Sequence, residues 1–145
     1  DNCALFLWAT DPLLPQAIDL IGKWGFNYKT IAFNWVKLNK SSKGFFTGMG
    51  YWTRANAELC LLGTKGKPKR KSASVRRLVV APRREHSRKP DVVADRIVSL
   101  MGDLPRIELF ARTPRPGWAV WGNETNKWEP DVSRDLEQER EGGLG

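Results

Sequence analysis

Polar side chains that could bind an anionic ligand border the apolar segments in the second half of the chain. Lys89 stands directly before Pro90, which opens a predicted helix, and a helix N-terminus is a ready anion site. Arg112 ends the apolar segment 107–111, where it could grip a carboxylate through two hydrogen bonds. Phe110 could pack on the same ligand. The simpler alternative is an exposed cation beside a core phenylalanine.

A second polar group, Asn123 and Glu124, follows the apolar segment 118–121. The Glu124 carboxylate could accept two hydrogen bonds from a ribose diol, and the Asn123 amide can donate and accept. Taken alone, the pair is better explained as a polar turn after a strand. His86, the one histidine, has no obvious nucleophile beside it in sequence, so a structural role is favoured for it.

Composition excludes several classes of protein. With 145 residues and 41% hydrophobic content, we predict one packed domain, and no apolar run is long enough to span a membrane. Cys3 and Cys60 stand in separate apolar segments without metal-ligand spacing, so we predict no metal site. The two cysteines also fit a reducing compartment, and we expect a cytoplasmic protein.

The net charge of +8 is unevenly distributed. Between Lys65 and Lys89 there are eleven Lys or Arg residues and one acid, whereas from Glu124 to Glu141 there are seven acids and three basic residues. The basic part indicates a contact surface for a polyanion, with a merely solvated loop as the alternative.

Strand and helix patterns alternate along the chain. Apolar or β-branched segments predict strands, and two segments with helical periodicity lie among them. This order predicts an α/β fold with a mostly parallel sheet and helices on its faces. The loop 40–56, which holds four aromatic residues among glycines, is long enough to suggest a function. We place the domain at 1–126 and predict an acidic, flexible tail at 127–145. The predicted strands are 4–10, 28–36, 58–64, 75–81, 107–111 and 118–121, and the helices begin near Pro12 and Pro90.

Nine short segments follow one another in a characteristic order. They are Ala4-Leu-Phe-Leu-Trp8, Trp24-Gly-Phe26, Trp35-Val-Lys-Leu-Asn39, Gly50-Tyr-Trp52, Glu58-Leu-Cys-Leu-Leu-Gly63, Lys65-Gly-Lys-Pro68, Glu85-His-Ser-Arg-Lys-Pro-Asp91, Glu108-Leu-Phe-Ala-Arg112 and Gly122-Asn-Glu124. Together they resemble one family, the N(6)-adenine methyltransferases related to the catalytic subunit of the mRNA m6A writer, which include bacterial and phage enzymes. Each segment is weak alone, but their order and spacing fit the family throughout. The resemblance implies a Rossmann-like fold that binds S-adenosylmethionine.

The resemblance also implies roles for individual residues. Lys89 and Arg112 would hold the methionine or ribose end of the cofactor, Phe110 would line its pocket, and Asn123 and Glu124 would hold the ribose and adenine region. Lys37 and Glu58 match positions that approach the target adenine, and the loop 40–56 matches a mobile loop at the substrate mouth. We assign Asn39, Arg54, Lys69, Arg70 and Lys71 to the nucleic-acid side as well.

One family feature is absent from the 145 residues. The catalytic signature Asp-Pro-Pro-Trp, which precedes the match to Ala4 in the family, is not present, and Asp11-Pro12-Leu13 does not replace it. We therefore assign no catalytic residue and expect an N-terminally truncated methyltransferase domain.

The resulting hypothesis is S-adenosylmethionine-dependent methylation of the exocyclic amine of adenine in nucleic acid, with DNA preferred and RNA open. Duplex DNA would require base flipping. The alternative is a catalytically silent partner subunit that binds nucleic acid through its basic loop, and a homodimer or a heterodimer with a related subunit fits either case. A plain nucleic-acid-binding module without cofactor is the third interpretation.

Overall fold

The chain folds as two compact units. The computed structural model describes residues 1–85 and 88–122, and the units are Asp1–Gly102 and Asp103–Gly145. The predicted domain boundary at 126 and the acidic tail lie outside the described residues, so both stay predictions. The first unit contains β1 (Cys3–Ala9), a 3-10 turn (Asp11–Leu13), α1 (Leu14–Lys23), β2 (Asn27–Leu38), β3 (Glu58–Lys65), β4 (Leu78–Pro82) and α2 (Asp91–Met101).

The sheet of the first unit is mixed, in the order β1-β3-β2-β4. β3 pairs antiparallel with both β1 and β2, whereas β4 pairs parallel with β2. β1, β2 and β4 therefore share one direction, and the prediction of a mostly parallel sheet is confirmed only in part, because both pairings of β3 are antiparallel. The reason is that β3 returns from β2 without a crossover helix, and a parallel partner would need one.

The two helices bury opposite faces of this sheet. Alternate residues of a strand point to opposite faces, so Leu61 and Cys60 belong to different cores. Ile21 of α1 packs with Leu61 on one side, and Val93 of α2 packs with Cys60 and Phe33 on the other. The prediction of helices on the sheet faces is thereby confirmed.

The start of β4, the start of α2 and the end of β5 differ from the predicted boundaries. β4 begins at Leu78 rather than at Val75, which instead packs against the α2-side core. Pro90 is the N-cap of α2 and not its first residue. In the second unit, β5 ends at Leu109 because Phe110 adopts a positive φ of 57°, which an extended strand does not tolerate.

The second unit contains a small parallel sheet of β5 (Ile107–Leu109) and β6 (Ala119–Trp121). The Ala111 N–H donates to Trp121 O at 3.1 Å, which prolongs the pairing past the end of β5. Gly122 follows directly, with a φ of 153°. A Cβ at this position would lie 2.9 Å from Phe110 Cα, so only glycine allows the chain segments to approach this closely.

Candidate active site

The strand directions gather polar side chains at one edge of the four-stranded sheet. β1, β2 and β4 end there, and β3, which runs the other way, begins there with Glu58. The carboxyl ends of strands are where open α/β sheets bind ligands. Lys37, one residue before the end of β2, and Lys89, between β4 and α2, reach Glu58 at this edge.

Glu58 is a buried carboxylate held by two ammonium groups. Lys37 Nζ donates to Glu58 Oε1 at 2.9 Å, and Lys89 Nζ donates to Oε2. The side chain of Glu58 is 7% exposed, whereas Lys37 and Lys89 keep 20% and 31% of theirs accessible. The cluster therefore carries one net positive charge, and its solvent-accessible part is cationic.

The pKa of Glu58 reflects opposing effects. Burial acts to raise it, and the hydrogen bonds and charges of Lys89 and Lys37 act to lower it. The lysines together prevail, so the pKa lies below the ordinary value of 4.5 and the carboxylate is ionised at neutral pH. An ionised carboxylate is only an acceptor, and each of its oxygens has more than one lone pair, so Glu58 can accept a further N–H from a ligand.

Two tryptophans form the wall beside this cluster. Trp8 of β1 and Trp35 of β2 meet edge to face, with ring centroids 6.1 Å apart. Lys89 Nζ lies 5.3 Å from the Trp8 centroid, and Lys37 Nζ lies 5.0 Å from that of Trp35. Trp35 is buried and donates from Nε1 to Ala81 O at 2.9 Å, which fixes its ring. Each ammonium is thus oriented by one aromatic face as well as by Glu58.

The loop between β2 and β3 is fastened to the backbone of Lys37. Asn56 Oδ1 accepts from the Lys37 N–H at 2.9 Å, and Asn56 Nδ2 donates to Lys37 O at 3.0 Å. The same amide also donates to Phe46 O, and the Phe46 N–H donates to Lys37 O at 2.9 Å. The Arg83 guanidinium packs 4.0 Å from the centroid of the Phe46 ring. The loop 39–57 is therefore joined to the strand that carries Lys37.

Lys89 is positioned by the start of α2. Pro90, buried at the N-cap, has the extended backbone that begins the helix, and Lys89 immediately precedes it. Asp91 in the first turn accepts from Arg84 Nη1 at 2.8 Å, and Arg88 donates to Glu85 Oε1 at 3.0 Å. Hydrogen bonding to its own backbone and to Arg88 lowers the pKa of Glu85. His86 lies outside the described residues.

The second unit presents an aromatic pair. Phe110 and Trp121 meet edge to face with centroids 5.4 Å apart, and they remain 70% and 57% exposed. Phe110 is also one of two non-glycine residues with positive φ in the described part of the chain, and such strained residues concentrate at functional sites. Arg112 follows the buried Ala111 and is partly buried itself. Asn123 and Glu124 lie outside the described residues.

The predicted nucleic-acid residues fall into different surroundings. Lys69 and Arg70 are exposed on the segment between β3 and β4. Lys71 is exposed too, but its N–H donates to Leu100 O at 2.6 Å, so its backbone also closes the end of α2. Arg54 is exposed on the loop 39–57.

Asn39 has a structural explanation. Its Nδ2 donates to Lys43 O at 2.8 Å and its N–H donates to Gly44 O at 3.0 Å, so it shapes the turn at the start of the loop. Within residues 1–85 and 88–122, no group of three or more His, Cys, Asp or Glu could hold a metal ion. In the same described ranges, no helix has the length and apolar character needed to cross a bilayer.

Sequence reasoning missed several members of the cluster. The sequence pattern does not indicate the roles of Asn56 and Trp8 or the pairing of Lys89 with Glu58, because these contacts join residues far apart in the chain. In the second unit, the pattern indicates only a strand at Trp121 and not its contact with Phe110. The one available signal was Asn56 directly before β3, at the same sheet edge as the other polar residues.

Comparisons with known proteins define the class. The sequence model of the MT-A70 family matches residues 1–124. The chain is 37% identical over 144 residues to the Type II methyltransferase M.MunI of a Mycoplasma species, which covers 97% of this chain and 59% of that protein. It is 34% identical over 126 residues to the N(6)-adenosine-methyltransferase MT-A70-like protein of Arabidopsis thaliana, covering 84% and 18%.

The human N(6)-adenosine-methyltransferase catalytic subunit METTL3 is 30% identical over 151 aligned positions, covering 99% of this chain and 26% of that protein. All three relatives are methyltransferases by name, and the resemblance drawn from the sequence segments is thereby confirmed. The chain belongs to the MT-A70 family. It spans about three fifths of the length of the bacterial relative and about a quarter of the human one.

Proposed function

We propose that this chain takes part in the transfer of a methyl group from S-adenosylmethionine to the exocyclic amine of adenine in nucleic acid. The observation that supports this most strongly is the cluster of Glu58, Lys37 and Lys89 at the carboxyl edge of the sheet. Adenine offers an amine donor beside a ring-nitrogen acceptor. An ionised carboxylate between two ammonium groups offers the complementary acceptor and donors.

The chemistry requires positioning above all. The lone pair of the adenine amine is delocalised into the ring, so the amine is a poor nucleophile that must be held in line with the methyl group. Bound S-adenosylmethionine supplies that electrophilic methyl group. Glu58 would accept an N–H of the amine, and Lys37, whose backbone Asn56 fixes, would orient Glu58 from the other side.

The assignment of residues to the cofactor combines charge with the family resemblance. Lys89 presents a partly accessible ammonium beside Trp8, which suits the carboxylate of the methionine part. The exposed Phe110 and the cationic Arg112 belong to the second unit, and the family resemblance assigns them to the same cofactor. Asn123 and Glu124, assigned to its ribose and adenine, belong to the proposal too.

We infer DNA as the preferred nucleic acid. The chain is more similar to a bacterial methyltransferase, at 37% identity, than to the plant and human adenosine methyltransferases, at 34% and 30%. A bacterial or phage-infected cytoplasm and a homodimer or heterodimer with a related subunit complete the proposal. Lys69 and Arg70, exposed and cationic, would contact phosphates.

The test is methyl transfer itself. The protein, purified with any sequence that flanks these 145 residues in its gene, is incubated with S-adenosylmethionine and adenine-containing DNA or RNA, and the digested nucleosides are analysed by mass spectrometry. The proposal predicts N6-methyldeoxyadenosine, reduced at least tenfold in Glu58→Gln. Methylation of cytosine, or the absence of both transfer and cofactor binding, would refute it. Cofactor and nucleic-acid binding without transfer would identify the silent partner subunit.

Phosphate contact is tested by salt dependence. Each contact to duplex DNA contributes about −0.9 to the slope of log affinity against log salt, so Lys69→Ala with Arg70→Ala should flatten the slope by about two. Lys71 is left intact because its side chain packs against Gly102 at the end of α2. Lys29→Ala, an exposed lysine on β2, is the matched control and should leave the slope unchanged. An unaltered slope in the double variant places the phosphates elsewhere.

A further inference from the structure

The loop 39–57 exposes an unusual amount of aromatic and apolar surface. Trp52 is 100% exposed, Tyr51 87%, Met49 84% and Phe45 67%. Exposed groups of large apolar side chains mark surfaces that contact a partner. None of these four side chains belongs to either core of the first unit, so all four are accessible to a binding partner.

Three of these exposed residues, Met49, Tyr51 and Trp52, lie on a closed tip of the loop, the segment 48–55. The Gly48 N–H donates to Ala55 O at 2.6 Å, which brings together the two ends of the segment 48–55. A Cβ on Gly50 would lie 1.9 Å from Thr53 O, so the turn inside the tip is tight enough to require glycine. The segment 48–55 is therefore a defined, hydrogen-bonded turn, and Tyr51 and Trp52 lie within it.

The tip is also connected to the candidate active site. Asn56, which directly follows the tip, holds both the N–H and the carbonyl of Lys37. Lys37 in turn donates to Glu58. The hydrogen bonds of Asn56 therefore link the end of the tip to the strand that carries Lys37, and Lys37 contacts Glu58.

The charge of the loop selects the class of partner. Between residues 40 and 57 the sequence contains Lys40, Lys43 and Arg54 and no acidic residue. Aromatic faces interleaved with cations are what single-stranded nucleic acid requires, because bases stack on the rings and phosphates approach the cations. An adenine displaced from a helix also leaves its neighbouring base without a stacking partner.

We propose that the tip 48–55 stacks, through Trp52 and its neighbour Tyr51, on an unstacked base of the substrate strand next to the adenine held at Glu58. This inference rests on the proposed function for the identity of the adenine, but the stacking contact itself is independent of methyl transfer. The tip would hold the strand after the base is displaced, while the phosphate contacts supply affinity that does not depend on stacking.

The test compares Trp52 variants in strand binding by fluorescence anisotropy with adenine-containing single-stranded oligonucleotides, at several salt concentrations. Base stacking on an aromatic residue corresponds to a loss of about 5- to 150-fold on removal, so Trp52→Ala should bind weaker by that factor. Trp52→Phe should recover part of the loss, and Trp52→Leu should not, since it is apolar without an aromatic face. The salt slope should stay that of the wild type in all three.

Leu13→Ala is the matched control, because Leu13 is 57% exposed on the 3-10 turn and lacks an aromatic face. It should bind as the wild type does. Unchanged strand affinity in Trp52→Ala overturns the inference, as does a Trp52→Leu variant that binds normally. Sedimentation measurements in which Trp52→Ala converts a dimer to a monomer, without loss of strand affinity, would assign the tip to a second copy of the chain instead.

The two proposals fail separately. If adenine methylation is absent but Trp52→Ala still weakens strand binding at constant salt slope, the proposed function falls and the stacking surface stands. If methylation occurs and Trp52→Ala binds the strand as the wild type does, the proposed function stands and the stacking surface is ruled out.

Discussion

Replacing Glu58 with glutamine tests the cluster at the sheet edge most sharply. The amide is nearly isosteric with the carboxylate, so the substitution leaves no cavity and changes only charge and hydrogen bonding. One ammonium can still donate to the amide oxygen, but the other meets the amide's own donors. Lys37 and Lys89 then face each other without the negative charge between them.

The expected cost follows from burial. Breaking a buried ion pair typically destabilises by about 3–5 kcal/mol, and because Lys37 and Lys89 remain 20% and 31% exposed we reduce this to about 2–3 kcal/mol. For a chain of 145 residues, each kcal/mol lowers the midpoint of thermal unfolding by about 3 °C. Glu58→Gln should therefore unfold about 6–9 °C below the wild type at pH 7.

The control is Glu85→Gln. Glu85 is also paired with a cation, Arg88, but its side chain is 45% exposed, and exposed pairs contribute about 0–1 kcal/mol. Its midpoint should fall by no more than about 3 °C. Circular dichroism at a fixed heating rate measures all three proteins.

The pH dependence gives a second check. Because the pKa of Glu58 is lowered in the folded state, its contribution is complete above its ordinary value of 4.5 and is lost as pH falls through the folded pKa. The difference between wild type and Glu58→Gln should thus be largest at neutral pH and shrink below pH 4.5. A Glu58→Gln midpoint within about 1 °C of the wild type, far less than the expected fall of about 6–9 °C, would refute the reasoning, as would a difference that grows toward acid.

Three further outcomes follow from local geometry. Burial raises the pKa of Cys60 to about 12, so a thiol reagent at about pH 8, near the pKa of an ordinary thiol, should label only Cys3 in the native protein and both thiols after unfolding. Asn56→Ala should cost about 1–3 kcal/mol in denaturant unfolding, because it removes the hydrogen-bond partners of partly buried backbone groups. Asn56→Asp should cost at least as much, because a carboxylate oxygen would then face the carbonyl oxygens of Lys37 and Phe46. Gly122→Ala should destabilise by about 1–3 kcal/mol in the same assay, since its Cβ would meet the Phe110 backbone.

Each of these outcomes can be contradicted directly. Two labelled thiols in the native protein would mean that Cys60 is accessible. Equal stability of Asn56→Ala and wild type would mean that the loop 39–57 is not fastened through that amide. A Gly122→Ala variant as stable as wild type would mean that the segments after β5 and β6 do not approach as described.

Most of the secondary structure could be predicted because its signals are local. The periodic apolar residues of α1 and α2 and the β-branched or aromatic runs of β1, β2 and β3 place these elements to within a few residues. β5 was predicted too long, because the positive φ of Phe110 comes from pairing with the segment around Trp121 and leaves no mark in local composition.

The contacts at the site could not be predicted from local signals. Glu58 meets Lys37 and Lys89 from 21 and 31 residues away, and both contacts depend on β3 lying between β1 and β2. A loop as long as 39–57 sets no register, so neither the strand order nor the approach of Trp8 to Trp35 follows from the sequence pattern. The family resemblance supplied Lys37, Glu58 and Lys89 as separate roles, and the fold joins them into one cluster.

Calorimetric titration of S-adenosylhomocysteine into the purified protein tests the central claim most directly. We predict one-to-one binding that weakens at least tenfold in Arg112→Ala and in Glu124→Ala, with Leu13→Ala binding as the wild type does. No heat of binding to the wild-type protein, or unchanged affinity in both Arg112→Ala and Glu124→Ala, would contradict the assignment of this chain's polar residues to S-adenosylmethionine.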